Sequence, residues 1–370
     1  SSDRGTKWEN RNSTLTLTQF FGIASDPSNP SHVIGGTQDN GTQRTTGTLS
    51  WREVKPGDGG KICFHSQDAH HIVGELAIAI WYSSDGGSTW RTPNTRPVGR
   101  RDELFPFISH PDSSGIFYTA YQRVYKTTDW GKNWFPISTE LICDVNLCYF
   151  LRNLAISQSS PSIMYANSGG RIWRSTDRGA NWPWVFDSER HVTSVAVHPD
   201  SANVVVITNS GFRAPKVRVS RDTGKTWTDM SGDLPDCPAN DALILSNSDK
   251  TKTYYIVAMD VGVFITEDYG QHWTELAPDL PHTVAMDLDY QREANLVRVG
   301  TFGRGVFETH LRFMPGPVPP VITSFSPTSG PFGIACTIAG RNFRAHPANN
   351  TVYFGTAKAQ ILTASATSLT

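Results

Sequence analysis

Ser175-Thr-Asp-Arg-Gly-Ala-Asn-Trp182 is the stretch on which the reading of this chain turns. A strand-like run, Ile172-Trp173-Arg174, leads into it, and Trp182 opens the next short strand. Asp177 is suited to accept hydrogen bonds from backbone N–H groups of its own turn, and Gly179 supplies the positive φ that a close reversal needs. The octet recurs as Ser83-Ser-Asp-Gly-Gly-Ser-Thr-Trp90, Thr127-Thr-Asp-Trp-Gly-Lys-Asn-Trp134, Ser220-Arg-Asp-Thr-Gly-Lys-Thr-Trp227 and Thr266-Glu-Asp-Tyr-Gly-Gln-His-Trp273. Ser1-Ser-Asp-Arg-Gly-Thr-Lys-Trp8 is a further copy, and Thr45-Thr-Gly-Thr-Leu-Ser-Trp51 is a worn one without its aspartate.

The turn tryptophans at 8, 51, 90, 134, 182, 227 and 273 follow one another at steps of 39 to 48 residues, a period that signals a repeat architecture. The motif Ser/Thr-x-Asp-x-Gly-x-x-Trp resembles the Asp-box, or BNR, repeat of bacterial sialidases, sortilin-type receptors, xyloglucanase-type glycoside hydrolases and a photosystem assembly factor. The resemblance implies a β-propeller over residues 1 to about 312. It also gives Asp3, Asp85, Asp129, Asp177, Asp222 and Asp268 a structural role, because the box builds the turn of a blade. It does not specify an activity, since unrelated functions share one fold.

Within each repeat, period-2 patches and turn residues mark four strands, the number in a propeller blade. Residues 283–311 supply three strands with no box after them, and the first dozen residues supply a box and a fourth strand with nothing before them. The expected fold is therefore all-β: a seven-bladed propeller over 1–312 whose last blade is closed by the N-terminal strand. A proline-rich linker at 313–320 follows. Val321-Ile-Thr-Ser-Phe-Ser-Pro-Thr-Ser-Gly330, Cys336-Thr-Ile-Ala-Gly-Arg-Asn-Phe343 and Thr351-Val-Tyr-Phe-Gly355 resemble part of an IPT/TIG domain, an immunoglobulin-like sandwich, over 321–370. Such a sandwich needs more strands to close, so further domains of the same polypeptide are expected on its flanks.

Composition narrows the function classes. Lys and Arg number 33 against 34 Asp and Glu, which argues against nucleic acid held on a general basic surface. No apolar run approaches the roughly 20 residues of a membrane span. Cys143 and Cys148 are spaced to close a small loop, and a disulfide between them implies an oxidising location: extracellular, cell-surface or periplasmic. Cys63 and Cys336 read as buried thiols, and Cys237 as a loop residue. No metal site or cofactor motif is present, and His70-His71 are expected to point opposite ways.

In a propeller blade with strands A to D from the axis outward, the Asp-boxes are C–D turns and share a face with the His-Pro-Asp A–B turns. The B–C and D–A turns share the opposite face. There the charged residues fall on consecutive blades: Asp39 in Gln38-Asp-Asn-Gly41, Glu75 beside Gly74, Asp260 in Met259-Asp-Val-Gly262 and Arg304 in Phe302-Gly-Arg-Gly305. Asp58 in Pro56-Gly-Asp-Gly-Gly60 joins them, and the glycines leave room for a ligand to approach the backbone. These five residues form the expected ligand-binding arc, and the expected function is a secreted or cell-surface module for a glycan or protein ligand.

Two alternatives compete with that reading. A xyloglucanase-like glycoside hydrolase needs paired carboxylates, for which Asp39, Glu75 and Asp260 are the candidates. Ala258-Met-Asp260-Val-Gly-Val-Phe264 resembles the turn carrying an acidic catalytic residue in those enzymes. A sialidase is disfavoured, because no Arg-Ile-Pro motif occurs and only one arginine lies near the axis. An assembly or scaffold protein, as with the photosystem factor, relies on a basic patch, for which Arg96, Arg100 and Arg101 are the only cluster.

Overall fold

Runs such as Val205-Val-Ile-Thr-Asn209 and Met164-Tyr-Ala-Asn-Ser168 are covered on both faces, which is why they read as continuous rather than alternating strands. A computed structural model describes residues 17–101, 104–141, 150–311 and 320–370, the last without 332, 344–346, 348, 349, 351 and 356. The chain divides into two compact units, 1–311 and 312–370.

Among the described residues the first unit is a succession of seven antiparallel sheets. The first holds β1 (Phe20–Asp26), β2 (Asn29–Thr37), β3 (Thr42–Thr46) and β4 (Arg52–Lys55), and the second β5 (Gly59–Phe64), β6 (Ile72–Leu76) and β7 (Ala79–Ser83). The third holds β8 (Phe107–Ser109), β9 (Phe117–Ala120), β10 (Val124–Thr127) and β11 (Phe135–Pro136). The fourth holds β12 (Asn153–Ile156), β13 (Met164–Ser168), β14 (Arg171–Ser175) and β15 (Trp184–Asp187). The fifth holds β16 (Val192–Val197), β17 (Val205–Asn209), β18 (Val217–Ser220) and β19 (Thr228–Asp229). The sixth holds β20 (Ala239–Ser246), β21 (Thr253–Met259), β22 (Gly262–Thr266) and β23 (Thr274–Glu275), and the seventh β24 (Ala285–Gln291), β25 (Leu296–Thr301) and β26 (Gly305–His310).

The first strands touch in chain order, and β24 returns to β1. That return is hydrogen-bonded: Ile23 N–H donates to Asp287 Oδ2 at 2.7 Å, and Arg298 reaches Ser25 Oγ at 2.5 Å and Pro30 O at 2.6 Å. The core lies between sheets. Trp134, for example, packs among Val73 and Ile80 of the second sheet and Phe107, Phe117 and Tyr125 of the third.

The box turns are built alike. Asp177 accepts from Ser175 Oγ (2.8 Å), Asn181 N–H (2.9 Å) and Asn181 Nδ2 (2.7 Å), while Trp182 Nε1 donates to Gly179 O. Hydrogen bonds from the Asn181 side chain and backbone hold the Asp177 carboxyl down at about 2. Gly179 has φ +90, and a Cβ there would lie 2.6 Å from Ile137 Cδ1 of the preceding blade, so sterics and backbone both demand glycine.

In the second unit β27 (Val321–Ser326), β28 (Thr337–Arg341) and β31 (Ser368–Leu369) form one sheet, and β29 (Tyr353–Phe354) pairs with β30 (Ala357–Lys358). Its core gathers Ile338, Phe343 and Leu369.

Two details differ from the sequence reading. His70 and His71 lie in a turn, and both turn Nδ1 to one carboxylate, Asp68, at 3.1 and 3.0 Å. Cys237 is the buried thiol, whereas Cys63 and Cys336 are half-buried. The loop carrying Cys143 and Cys148, and residues 1–16 with the box of Asp3 and Trp8, lie outside the described residues.

Candidate functional site

The turns between second and third strands lie at one end of the sheets, and the box turns follow the third strands at the other. Asp39 sits at the β2–β3 turn with φ 61, and its N–H donates to Asp58 Oδ1 at 2.7 Å, so the turn of the first sheet is bound to the loop entering the second. Asp58 O in turn accepts from Ile78 N–H. Gln38 N–H donates to Gln19 O, Gln19 bridges to Phe302, and the Phe302 and Phe21 rings stand 6.2 Å apart. Phe302 leads into the turn of Arg304, whose side chain is exposed and makes no ion pair among the described residues. At the sixth sheet, Asn240 Nδ2 donates both to Asp260 Oδ1 and to Ala285 O of the seventh, each at 2.9 Å. Asp39, Asp58, Asp260 and Arg304 thus occupy one end of the sheets of the first unit, tied through neighbouring sheets.

Glu75 behaves differently. It lies inside β6, opposite Ile80, and the reversal falls two residues later at Ala77-Ile78, both left-handed (φ 50 and 59). That turn has no Gly, Asn or Asp to announce it, which is why Gly74-Glu75 looks like the turn in sequence. Glu75 is 2% exposed, its carboxylate 3.9 Å from Arg101. Nor do the nearby glycines leave ligand space: a Cβ on Gly60 would lie 2.2 Å from Glu75 Oε2, and one on Gly36 would lie 2.1 Å from Gly60 O. Their absent side chains let two sheets meet backbone to backbone.

The sequence reading missed the apolar component of this end. Phe302 (44% exposed), Val261, Ile78 and Phe212 all stand at turns between second and third strands, interleaved with the charged residues. The signal was in the quoted turns themselves, Met259-Asp-Val-Gly262 and Phe302-Gly-Arg-Gly305. Apolar side chains exposed at turns are the informative kind of surface.

It also missed a charged cluster on the inner strands. Lys61 of β5 donates to Asp287 of β24, and Leu288 N–H donates to Asp241 Oδ2 of β20 at 2.8 Å. Burial raises the Asp241 carboxyl to about 6, with the charge of Asp287 adding and that of Lys61 opposing. Burial likewise raises Asp289 to about 6, and its Oδ2 is buried without a hydrogen-bond partner among the described residues. Lys61 stays charged: burial works against it, but Asp287 and Asp241 raise its pKa. Asp287 and Asp289 two apart in an inner strand are the sequence signal for this cluster. No group of three or more His, Cys, Asp or Glu among the described residues is arranged to hold a metal.

Residues 170–284 match the family model described as Sortilin, neurotensin receptor 3, and residues 320–370 match the IPT/TIG domain model. No curated protein sequence matches the chain. Among solved structures it is similar to an ancestral GH74 enzyme, with a TM-score of 0.65 and 12% identity over 91% of this chain and 50% of that one. The chain thus spans half the length of that enzyme. It is also similar to YCF48 from Cyanidioschyzon merolae (TM-score 0.61, 12% identity, 79% of this chain and 95% of that one). YCF48 bound to D1 peptide is similar too (TM-score 0.56, 16% identity, 80% and 94%). At these identities the likeness establishes the fold, and with the motif and the two family models it identifies the chain as an Asp-box, BNR-type β-propeller followed by an IPT/TIG domain.

Proposed function

We propose that this chain is a binding module of a larger secreted or cell-surface protein, and that it grips a glycan or protein ligand at the end carrying Asp39, Asp58, Asp260 and Arg304. The observation that carries the reading is the contrast between the two ends. At the box end each described box aspartate is held by its own turn, as Asp177 is by Ser175 and Asn181. At the other end the Asp39 and Arg304 side chains are exposed beside Phe302, so charge and apolar surface are offered together. The hydrolase alternative needs two carboxylates on one bond, and Glu75 is enclosed in its sheet next to Arg101. A glycan array and a hydrolysis screen with wild type, Asp39→Ala and Asp260→Ala test the reading. Loss of ligand in either variant, without product in any, is expected. Unchanged binding in both, with the ligand on the box face, overturns it.

The propeller reading extends to a ring of seven blades whose last is completed by residues 1–12. Two features support it. Gly305 N–H at the start of β26 donates to Thr18 O, so the first described residues meet the seventh sheet. Between the sixth and seventh sheets, Val263, Leu276, Leu280, Val297, Val299 and Phe307 line an apolar cleft. Its counterpart one blade earlier, lined by Val217, Met230, Tyr255 and Val257, holds Trp273. In this proposal Trp8, the tryptophan of the N-terminal octet, fills it.

A further inference from the structure

A cavity of about 340 Å³ lies beside the β9–β10 turn of the third sheet, one sheet beyond the arc, lined by Arg96, Gln122, Arg123, Tyr125, Pro136 and Glu140 among others. The loop over it is fastened at three points. Thr95 Oγ1 accepts from Trp134 N–H at 2.9 Å, Tyr125 OH donates to Val98 O at 2.8 Å, and Arg100 N–H donates to Gln122 Oε1 at 3.0 Å. Gly99, at φ +113, permits the last contact, since a Cβ there would lie 2.8 Å from Gln122 Oε1. The roof is therefore set by hydrogen bonds before any ligand arrives, which lowers the ordering cost of binding.

We infer that this cavity is a second ligand site, and that it takes a small sugar bearing one carboxylate, a uronic acid. Its volume is at the lower end of the roughly 300–1,000 Å³ of ligand pockets, the size for one or two rings and not for a chain. Its charge fits a monoanion. Arg123 is paired with Glu140 at 3.2 Å, while Arg96 is exposed and pairs with no carboxylate among the described residues. One planar guanidinium is left to hold a carboxylate with two parallel hydrogen bonds. Pro136, which is exposed, offers an apolar contact for the C–H face of a pyranose, while the Tyr125 ring is buried behind it and serves the site through its hydroxyl on Val98. The Gln122 oxygen is occupied by Arg100 N–H, which leaves its amide NH₂ as a donor for a hydroxyl.

Calorimetric titration of the whole chain with glucuronate, glucose and acetate tests this, with Arg96→Gln, Glu140→Gln and Asp39→Ala as variants. Arg96 and Glu140 are exposed, so folding should be kept, and unfolding midpoints equal to wild type verify it. Glucuronate should bind where glucose and acetate bind at least ~10-fold more weakly, and Arg96→Gln should weaken glucuronate by ~10-fold or more. Glu140→Gln should tighten it by releasing Arg123, and Asp39→Ala should leave it unchanged, which separates this site from the arc. Equal binding of glucose or acetate, no loss in Arg96→Gln, or no glucuronate binding by wild type would overturn the assignment.

Discussion

Lys61 on β5 donates a hydrogen bond to the carboxylate of Asp287 on β24, although the first sheet stands between their own. The contact exists because Gly22 of β1 has no side chain: a Cβ there would lie 2.8 Å from Lys61 Cδ and 3.1 Å from its Cα. Ile23 N–H, next along β1, donates to the same carboxylate. One carboxylate thus joins the second, first and seventh sheets where the chain returns on itself. Asp241 of the sixth sheet continues the line through Leu288 N–H.

Removing the lysine should destabilise the unit disproportionately. Lys61→Met leaves Asp287 and Asp241 enclosed without their counter-charge, and one-sided loss of a buried pair costs about 3–5 kcal/mol. The Lys61 side chain keeps 32% of its surface accessible, so the expected loss is nearer ~2 kcal/mol. Gly22→Ala should act in the same direction. Urea unfolding of both variants checks this; wild-type midpoints would show that the contact does not hold the sheets together.

Two buried carboxyls should add stability on mild acidification. Asp241 and Asp289 have folded pKa values raised to about 6, above the ordinary carboxylate value of 3.8, so the folded state takes up their protons first. These two groups therefore add to the unfolding free energy as pH falls from above 6 towards 3.8, while His65, His110 and His198, whose pKa values burial lowers, subtract from it as pH falls below 6.5. Below that the lowered box carboxyls reverse the trend, Asp177 giving up its contribution as pH falls through about 2. Thermal unfolding from pH 8 to 3 should show the Asp241 contribution as a pH-dependent difference between wild type and Asp241→Asn. Asp241→Asn should raise the midpoint at pH 8 and flatten the profile; an unchanged slope would remove Asp241 from the account.

The box glycine should tolerate no side chain. Gly179→Ala sets a Cβ 2.6 Å from Ile137 at φ +90, and a strained left-handed residue costs about 1–3 kcal/mol before the clash is counted. Its unfolding midpoint should fall well below that of Gly303→Ala. Gly303 also has positive φ (+112), but a Cβ there meets nothing within 4 Å. Equal losses would mean that backbone strain alone decides.

Trp8→Ala tests the seven-bladed ring. If Trp8 fills the cleft between the sixth and seventh sheets, its loss should cost about 3–5 kcal/mol, as for other buried aromatics. Hydrogen exchange should then quicken first along β26. A variant as stable as wild type would place the N-terminal box elsewhere.

Much of this protein was legible in the chain because repeats and turns are local. Asp177, Gly179 and Trp182 carry their geometry within eight residues, so the recurring octet announced a propeller and the turns that build it. Glu75 was not legible, since the reversal after it uses two ordinary residues, Ala77 and Ile78, in left-handed conformations that nothing in their chemistry announces. The Lys61–Asp287 contact was still further from reach, because it joins residues 226 apart through a gap left by a third, Gly22. Local hydrogen bonding writes the blade into the sequence. Which charges meet, and which are enclosed, is decided only when the inner strands are brought round to face one another.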